Sequence, residues 1–256
     1  MNIVIIGTGY VGLVTGVGLA SLGNTVGFID LDANKIEDLS DKKIPFYEPG
    51  LEEYFNDDIT FKRMSFSTDY ASVKWDNIDI VFVCVQTPNN IETNSVDTKF
   101  LESAIKEINN VNNNDLVITV KSTIPPYEIE KVCEKVGMDS SKLTFNPEFL
   151  REGTAVEDFF KPDRIVLGGS DSEKLTKLKE LYSGFDCEII TTDSISSQLI
   201  KYLANTYLPL RLSFVNEATR LIDYSGGNLD DVLKGVGLDN RIGQHYFRPS
   251  PSWGGS

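Results

Sequence analysis

Gly7-Thr8-Gly9-Tyr10-Val11-Gly12 follows the short apolar run Asn2–Ile6 and opens the segment 10–22, in which Val11, Val14, Leu19 and Leu22 recur at helical spacing. A second apolar run, Thr25–Ile29, ends on Asp30, 18 residues after Gly12. Strand, glycine turn, helix, strand and terminal acid form the layout of a dinucleotide-binding unit. In that layout Gly7 permits the tight turn, Gly9 lets the backbone approach a pyrophosphate, and Gly12 lets helix and strand pack closely. The helix N-terminus, beginning at Tyr10 and Val11, carries partial positive charge for the phosphates. A carboxylate at Asp30 accepts from both adenosine ribose hydroxyls and repels a 2′-phosphate, so the expected cofactor is NAD rather than NADP. The acid at this strand end could alternatively cap the next helix, as Asp32 could. Gly12, Gly16 and Gly18 make the first helix poor by propensity, and close packing on a sheet explains them better.

The pattern continues along the chain. Segments 78–85 and 116–120 are continuous apolar runs, as expected of parallel strands covered on both faces. Leu143–Phe145, 164–167 and 187–190 read as further strands, while 97–109, 125–137 and 171–183 have helical spacing and polar faces. Alternating strands and helices predict an α/β fold with a Rossmann-like, doubly wound parallel sheet. From Asp193 to about Tyr224 the apolar positions describe one long helix, ended by Gly226-Gly227 and followed by a shorter helix over 228–235. The expected organisation is a nucleotide-binding domain over 1–192, then a long central helix and the start of a helical dimerisation domain over 193–256. The 193–224 helix is the expected surface of a homodimer. Segment 109–114 reads as an asparagine-rich turn.

Composition narrows the function classes. The chain has 256 residues, with 24 Lys and Arg against 38 Asp and Glu, for a net charge of −14. That balance argues against nucleic acid or an anionic membrane as a partner. No apolar run reaches membrane-spanning length, and the first residues lead straight into a strand, so a cytoplasmic location is expected. Cys84, Cys133 and Cys187 are too few and too scattered for a disulfide framework or a zinc site, and no metal is expected. Cys84 sits in an apolar run and reads as a buried thiol.

Several polar residues stand out in their own right. Thr87 and Thr123 each follow an apolar strand, which puts them at the carboxyl edge of the sheet, where such folds bind ligands; each could instead bond its own turn. Glu148 and Glu152 are four residues apart and would share a face on a helical turn. Paired carboxylates in a closed cleft push one pKa upward, which suits a general base. Lys201 and Asn205 have the same spacing on the long helix, so their polar ends can converge on one oxygen. Pro209, four residues further on, should kink that helix. His245 is the only histidine, and the chemistry considered below does not need it as a base.

Val85-Gln86-Thr87-Pro88, Lys121-Ser122-Thr123-Ile124-Pro125 and 146–153 (Asn-Pro-Glu-Phe-Leu-Arg-Glu-Gly) resemble successive motifs of nucleotide-sugar 6-dehydrogenases of the UDP-glucose 6-dehydrogenase type. Segments 201–208 (Lys-Tyr-Leu-Ala-Asn-Thr-Tyr-Leu) and 241–246 (Arg-Ile-Gly-Gln-His-Tyr) continue the series in the same order. The resemblance implies cofactor contacts from Lys35, Thr87, Thr123 and Glu152, with Thr123 also positioning a water. It assigns Glu152 to the water or cofactor side, with Glu148 beside it, and makes the Phe149-Leu150-Arg151 backbone a cradle for the substrate. It makes Lys201 and Asn205 the pair that holds the hydroxyl being oxidised and stabilises the oxyanion formed later. Arg241 and Tyr246 are implied substrate contacts, the arginine reaching the substrate of a neighbouring subunit.

The implied reaction is NAD-dependent oxidation of UDP-glucose to UDP-glucuronate, with two hydride transfers passing through a cysteine thiohemiacetal and thioester. None of the three cysteines lies in the Gly-Gly-Ser-Cys setting of the family nucleophile, and the last residues, 251–256, stop at Gly-Gly-Ser. The family's C-terminal UDP-binding domain is expected to be absent from this chain. This chain alone is therefore expected to bind NAD without completing the oxidation. Two other readings stay open: a single-oxidation enzyme of the β-hydroxyacid or 6-phosphogluconate dehydrogenase type, and a non-catalytic NAD-binding module.

Overall fold

The computed structural model describes residues 1–90, 95–111 and 116–250. The expected turn at 109–114 falls partly, and the stretch 251–256 wholly, outside the described residues. The chain divides into two compact units, Met1–Leu199 and a second beginning at Ile200.

In the first unit β1 (Asn2–Ile6), α1 (Tyr10–Ser21) and β2 (Thr25–Ile29) are followed by three short helices, α2 (Ala33–Ser40), α3 (Leu51–Asn56) and α4 (Asp58–Phe61). Next come β3 (Met64–Ser67), β4 (Ile80–Val83), a small antiparallel pair β5 (Asn89–Asn90) and β6 (Ser95–Val96), and α5 (Lys99–Asn109). The unit continues with β7 (Val117–Val120), α6 (Pro126–Val136), β8 (Leu143–Phe145), α7 (Ala155–Phe160), β9 (Arg164–Gly168), α8 (Ser172–Leu181) and β10 (Glu188–Thr192). Eight strands form one sheet in the order β10-β9-β8-β7-β4-β1-β2-β3.

The continuous apolar runs predicted burial on both faces, and β1 and β4 show why. Ile3, Ile5, Ile80 and Phe82 enter a core with α1, α3, α7 and α8, where Leu13, Val17, Phe55, Phe159 and Leu178 meet them. The alternate residues Val4, Ile6, Val81 and Val83 enter a second core with α5 and α6, through Leu101, Ile105, Ile129 and Val132. Each large side chain removed from water in this way contributes about 1.5–3 kcal/mol. The glycines of α1 do pack closely: a Cβ at Gly16 would lie 2.3 Å from the Phe28 ring of β2, and one at Gly18 only 2.2 Å from Phe159.

The sheet is parallel except where β8 meets β9, which is antiparallel. A parallel neighbour requires a crossover back to the other edge, whereas an antiparallel neighbour starts at the edge where the previous strand ended. The connection 146–163 therefore begins and ends at the carboxyl edge of β8, the edge on which the glycine turn also lies. Periodicity over so few residues gave no signal for β3, α3, α4 or α7.

The long helix, α9 (Ser194–Ser225), runs from the last residues of the first unit into the second and contains Pro209 without ending there. Asn228 then caps α10 (Leu229–Gly237) by accepting from the Asp231 N–H. In the second unit Val215, Ile222, Leu233 and Phe247 form a small core. The tail is fastened to α9 by Arg211 donating to the Gly243 carbonyl and by Asn216 bonded both ways to the Ser250 backbone.

Candidate functional site

β1 lies between β2 and β4, the point at which the order of strands along the sheet reverses, and ligands of such sheets bind outside the carboxyl ends there. The turn after β1 is built for close approach. Gly7 has φ +96°, and a Cβ on it would sit 2.6 Å from the Cys84 carbonyl oxygen at the end of β4. A Cβ at Gly12 would sit 1.9 Å from the Gly7 carbonyl oxygen. Gly9 differs: nothing lies within 4 Å of its missing Cβ. It is the N-cap of α1, and no N-cap side chain competes for the first-turn N–H groups of that helix. Open space at a helix N-terminus fits a pyrophosphate.

Asp30 closes the other side of the turn. Its Oδ2 accepts from the Thr8 N–H and the Thr8 hydroxyl, both at 2.8 Å, and its Oδ1 accepts from the Asp32 N–H at 3.0 Å. Partial burial pushes this carboxyl up, but the hydrogen bonds from Thr8 and Asp32 and the charge of Lys35 outweigh it. Asp30 is held below the usual carboxylate range and is ionised at neutral pH. A carboxylate has about four acceptor positions, so three are used within the turn, and its room for ribose hydroxyls is narrower than the sequence suggested. The helix-capping role falls to Asp32, which accepts from Asn34 and Lys35 at the start of α2. Lys35 stands in the first turn of that helix.

At the ends of β4 and β7 the two threonines meet. The Thr87 hydroxyl donates to the Thr123 carbonyl at 2.7 Å, and the Ser122 hydroxyl donates to the Val85 carbonyl. Lys121, the residue just before Ser122, belongs to a buried polar cluster that sequence reasoning missed. Lys121, 7% exposed, donates to Asn146 Oδ1 at 2.9 Å and to its carbonyl at 3.3 Å. Tyr182 donates to the same Oδ1 at 2.7 Å, and Asn146 Nδ2 donates to the Val166 carbonyl. The asparagine that begins the carboxylate loop is thus fixed to β7, β9 and the end of α8.

Glu148 and Glu152 do not share a helical face, because 146–151 is irregular and 152–154 is a turn. Pro147 disfavours helical backbone at Asn146, and Gly153 has φ +88°. Glu148 instead accepts from the Leu150 N–H at 2.8 Å. The Arg151 N–H and guanidinium both bond Asp158 of α7, so the N–H groups of Leu150 and Arg151 are taken up by Glu148 and Asp158. The Phe149 ring carries the Arg164 guanidinium 3.7 Å from its centroid. A second missed residue is Glu48, whose buried carboxylate accepts from Tyr10, Gly153 and Ala155. Nothing local in the sequence marks it, since two of those partners are 105 and 107 residues away.

In the second unit Lys201 and Asn205 lie one turn apart on α9, the lysine buried and the asparagine half-buried. Arg241 forms a forked ion pair with Asp239, at 3.0 and 2.6 Å. Tyr246 has φ +56°, a conformation rare outside glycine. None of the three thiols is activated. Burial pushes Cys84 up to about 12 and Cys133 up to about 11, and it also raises Cys187. Among the described residues no group of three or more His, Cys, Asp or Glu could hold a metal ion, and no helix is long and apolar enough to cross a membrane.

Residues 1–186 match the model of the UDP-glucose/GDP-mannose dehydrogenase family, NAD binding domain, and residues 195–256 match that family's central domain. The chain is 39% identical over 261 residues to a UDP-glucose 6-dehydrogenase of Rickettsia felis, covering 100% of this chain and 58% of that protein. Among solved structures it resembles a UDP-glucose dehydrogenase from the archaeon Pyrobaculum islandicum, with a TM-score of 0.90, 35% identity, and coverage of 100% of this chain and 60% of that one. A GDP-mannose dehydrogenase from Pseudomonas aeruginosa, solved as a ternary complex, gives a TM-score of 0.87 at 29% identity, with coverage of 100% and 61%. The chain thus spans about three fifths of the length of the curated relatives it matches.

Proposed function

Because the chain belongs to the UDP-glucose/GDP-mannose dehydrogenase family, we propose that it serves the NAD-dependent oxidation of UDP-glucose to UDP-glucuronate, with 1–192 as the NAD-binding domain. The observation that carries this reading is the glycine turn, open at Gly9 and bounded by the ionised Asp30, at the strand-order reversal of the sheet. NAD, when bound, accepts hydride from the substrate alcohol.

The chain's own residues bind, orient and handle protons. The N-terminus of α1, including Tyr10 and Val11, receives the pyrophosphate, and Asp30 and Lys35 receive the adenosine ribose. Thr87 and Thr123 border the cofactor, and Thr123 with Glu152 orients a water. Glu148, Phe149, Leu150 and Arg151 contact the sugar nucleotide. On α9 Lys201 and Asn205 hold the hydroxyl being oxidised, and the lysine cation stabilises oxyanion character that develops there. Arg241 and Tyr246 are further substrate contacts. The raised thiols of Cys84, Cys133 and Cys187 give none of them the role of nucleophile.

The assembly we infer is a homodimer. Leu199, Leu203, Leu210, Phe214, Leu221 and Tyr224 are all exposed on α9, and their spacings of four, seven, four, seven and three put them on one stripe. Such a stripe on a 32-residue helix suits pairing with a second copy. A reducing, cytoplasmic location accords with the free thiols.

Titrating the purified chain with NAD and NADP tests the cofactor half, and following NADH formation with UDP-glucose, GDP-mannose and UDP-N-acetyl sugars tests the substrate half. NAD is expected to bind at least about tenfold tighter than NADP, a difference of about 1.4 kcal/mol, with UDP-glucose the preferred substrate. Equal affinity for NADP would overturn the cofactor assignment. NADH formed from UDP-glucose without release of UDP-glucuronate would match a chain whose three thiols do not act as nucleophile, whereas NAD binding with no NADH from any UDP-sugar would favour the non-catalytic module.

A further inference from the structure

Glu48 lies between α2 and α3, and no role above depends on it. Its side chain belongs to a residue only 4% exposed, yet it gathers donors from two distant parts of the chain. Oε2 accepts from the Tyr10 hydroxyl at 2.7 Å and from the Gly153 N–H at 2.8 Å, and Oε1 accepts from the Ala155 N–H at 2.7 Å. The Tyr10 hydroxyl also lies 3.0 Å from the Arg151 carbonyl oxygen, sharing its proton between two acceptors. We propose that Glu48 is a positioning residue, which with the Tyr10 hydroxyl fixes Glu152 relative to the glycine turn.

The geometry supports this assignment in three ways. The residues on both sides of Glu152 are tied down, Arg151 through its carbonyl on Tyr10 and Gly153 through its N–H on Glu48. Tyr10 is the first residue of α1, adjacent to Gly9, so the anchor sits at the mouth of the candidate pyrophosphate site. Capping α7 would need only the bond from Ala155, and the bonds to Tyr10 and Gly153 add nothing to a cap. A buried carboxylate is costly unless its oxygens are satisfied, and charge-assisted bonds of this length are the strong kind. Burial and the neighbouring Glu48 charge raise the Tyr10 phenol well above its ordinary value, so it remains a donor throughout the working pH range. One consequence is that cofactor occupancy at the turn and the position of Glu152 are coupled. The inference rests on the role given to Glu152 above.

Hydrogen exchange over residues 150–156, in the wild type, Tyr10→Phe and Glu48→Gln, tests it with and without saturating NAD. Tyr10→Phe keeps the ring packed on Phe46, 5.5 Å between centroids, and removes only the hydroxyl. Amides of β9 serve as the internal control. Without NAD, Glu48→Gln should speed exchange at Gly153 and Ala155 by about tenfold, the effect of losing one hydrogen bond of ordinary net strength, while β9 is unchanged. NAD should slow exchange in this segment of the wild type, and Tyr10→Phe should lose most of that slowing at NAD concentrations that saturate each protein, which a role in stability alone would not produce. Unchanged exchange in both variants, or equal slowing by NAD in Tyr10→Phe and wild type, would overturn the proposal. If Glu48→Gln does not fold, the Tyr10→Phe comparison decides. If the wild type fails to bind NAD, the cofactor reading falls, and the NAD-free comparison still decides whether the clamp exists.

Discussion

Gly9→Ala and Gly12→Ala, three residues apart in one turn, should separate ligand binding from folding. At Gly12 the added Cβ would lie 1.9 Å from the Gly7 carbonyl oxygen and 3.1 Å from its carbon. Both are backbone atoms and cannot rotate away. Alanine gains about 1 kcal/mol in helix propensity over glycine, but forcing α1 off β1 costs about 1–3 kcal/mol, here at the upper end. The net is a loss of about 1–2 kcal/mol, or about 2–8 °C in melting temperature for a unit of this size. At Gly9 nothing lies within 4 Å, and φ −71°, ψ −173° suits alanine. A poorer N-cap costs about 0.5–1 kcal/mol, and the lower chain entropy of the unfolded state returns about 0.4–1 kcal/mol, so the fold should be nearly indifferent. The same methyl group would stand where a pyrophosphate must approach, and a clash of about 1–3 kcal/mol there weakens NAD about 5- to 150-fold. Differential scanning fluorimetry and calorimetric NAD titration read the two effects independently. A Gly12→Ala protein that melts with the wild type would refute the packing argument. A Gly9→Ala protein that binds NAD normally would refute the placement of the phosphates.

Three further outcomes follow from the same geometry. Asp30→Ala should lower NAD affinity and narrow the preference over NADP, measured by paired titrations, because it removes the negative charge facing a 2′-phosphate; an unchanged ratio would place discrimination elsewhere. In Asp79 and Asp158 burial raises the carboxyls, but hydrogen bonds from Asn2 and Lys177, and from Arg151, more than reverse it, and both are held low like Asp30. Their folded pKa values lie below the unfolded value of about 3.9, so the stability they contribute is full above pH ~4 and is lost as pH falls through the folded values. Acid unfolding followed by circular dichroism should accordingly be less steep in Asp158→Asn than in the wild type. Leu210→Glu combined with Phe214→Glu should convert a dimer to a monomer by light scattering, with little change in the far-ultraviolet spectrum, since both side chains are more than 60% exposed in the single chain.

The carboxylate loop shows most clearly where reading the sequence stops. The spacing of Glu148 and Glu152 suggested a shared helical face, but the chain is irregular there and sends Glu148 to the Leu150 N–H. Spacing rules carry geometry only within a regular element, and Pro147 and Gly153 interrupt the element. Pro209, by contrast, lies within a helix that continues past it, as the apolar spacing over 193–224 predicted.

By itself the sequence determined the order of the longer strands and helices, the glycine turn with Asp30, and the motifs that identify the family. Each of these is written in residues that are neighbours in the chain, or in periods of two and 3.6 that a single strand or helix imposes. Only the tertiary structure decided that Asp30 is braced by Thr8, that Lys121, Asn146 and Tyr182 share one buried network, and that Glu48 joins Tyr10 to the loop around Glu152. Those contacts form between residues 22 to 105 positions apart. They come together only when the assembled sheet brings the carboxyl ends of β1, β2, β4, β7 and β8 to one edge and excludes the water that would otherwise satisfy the same groups.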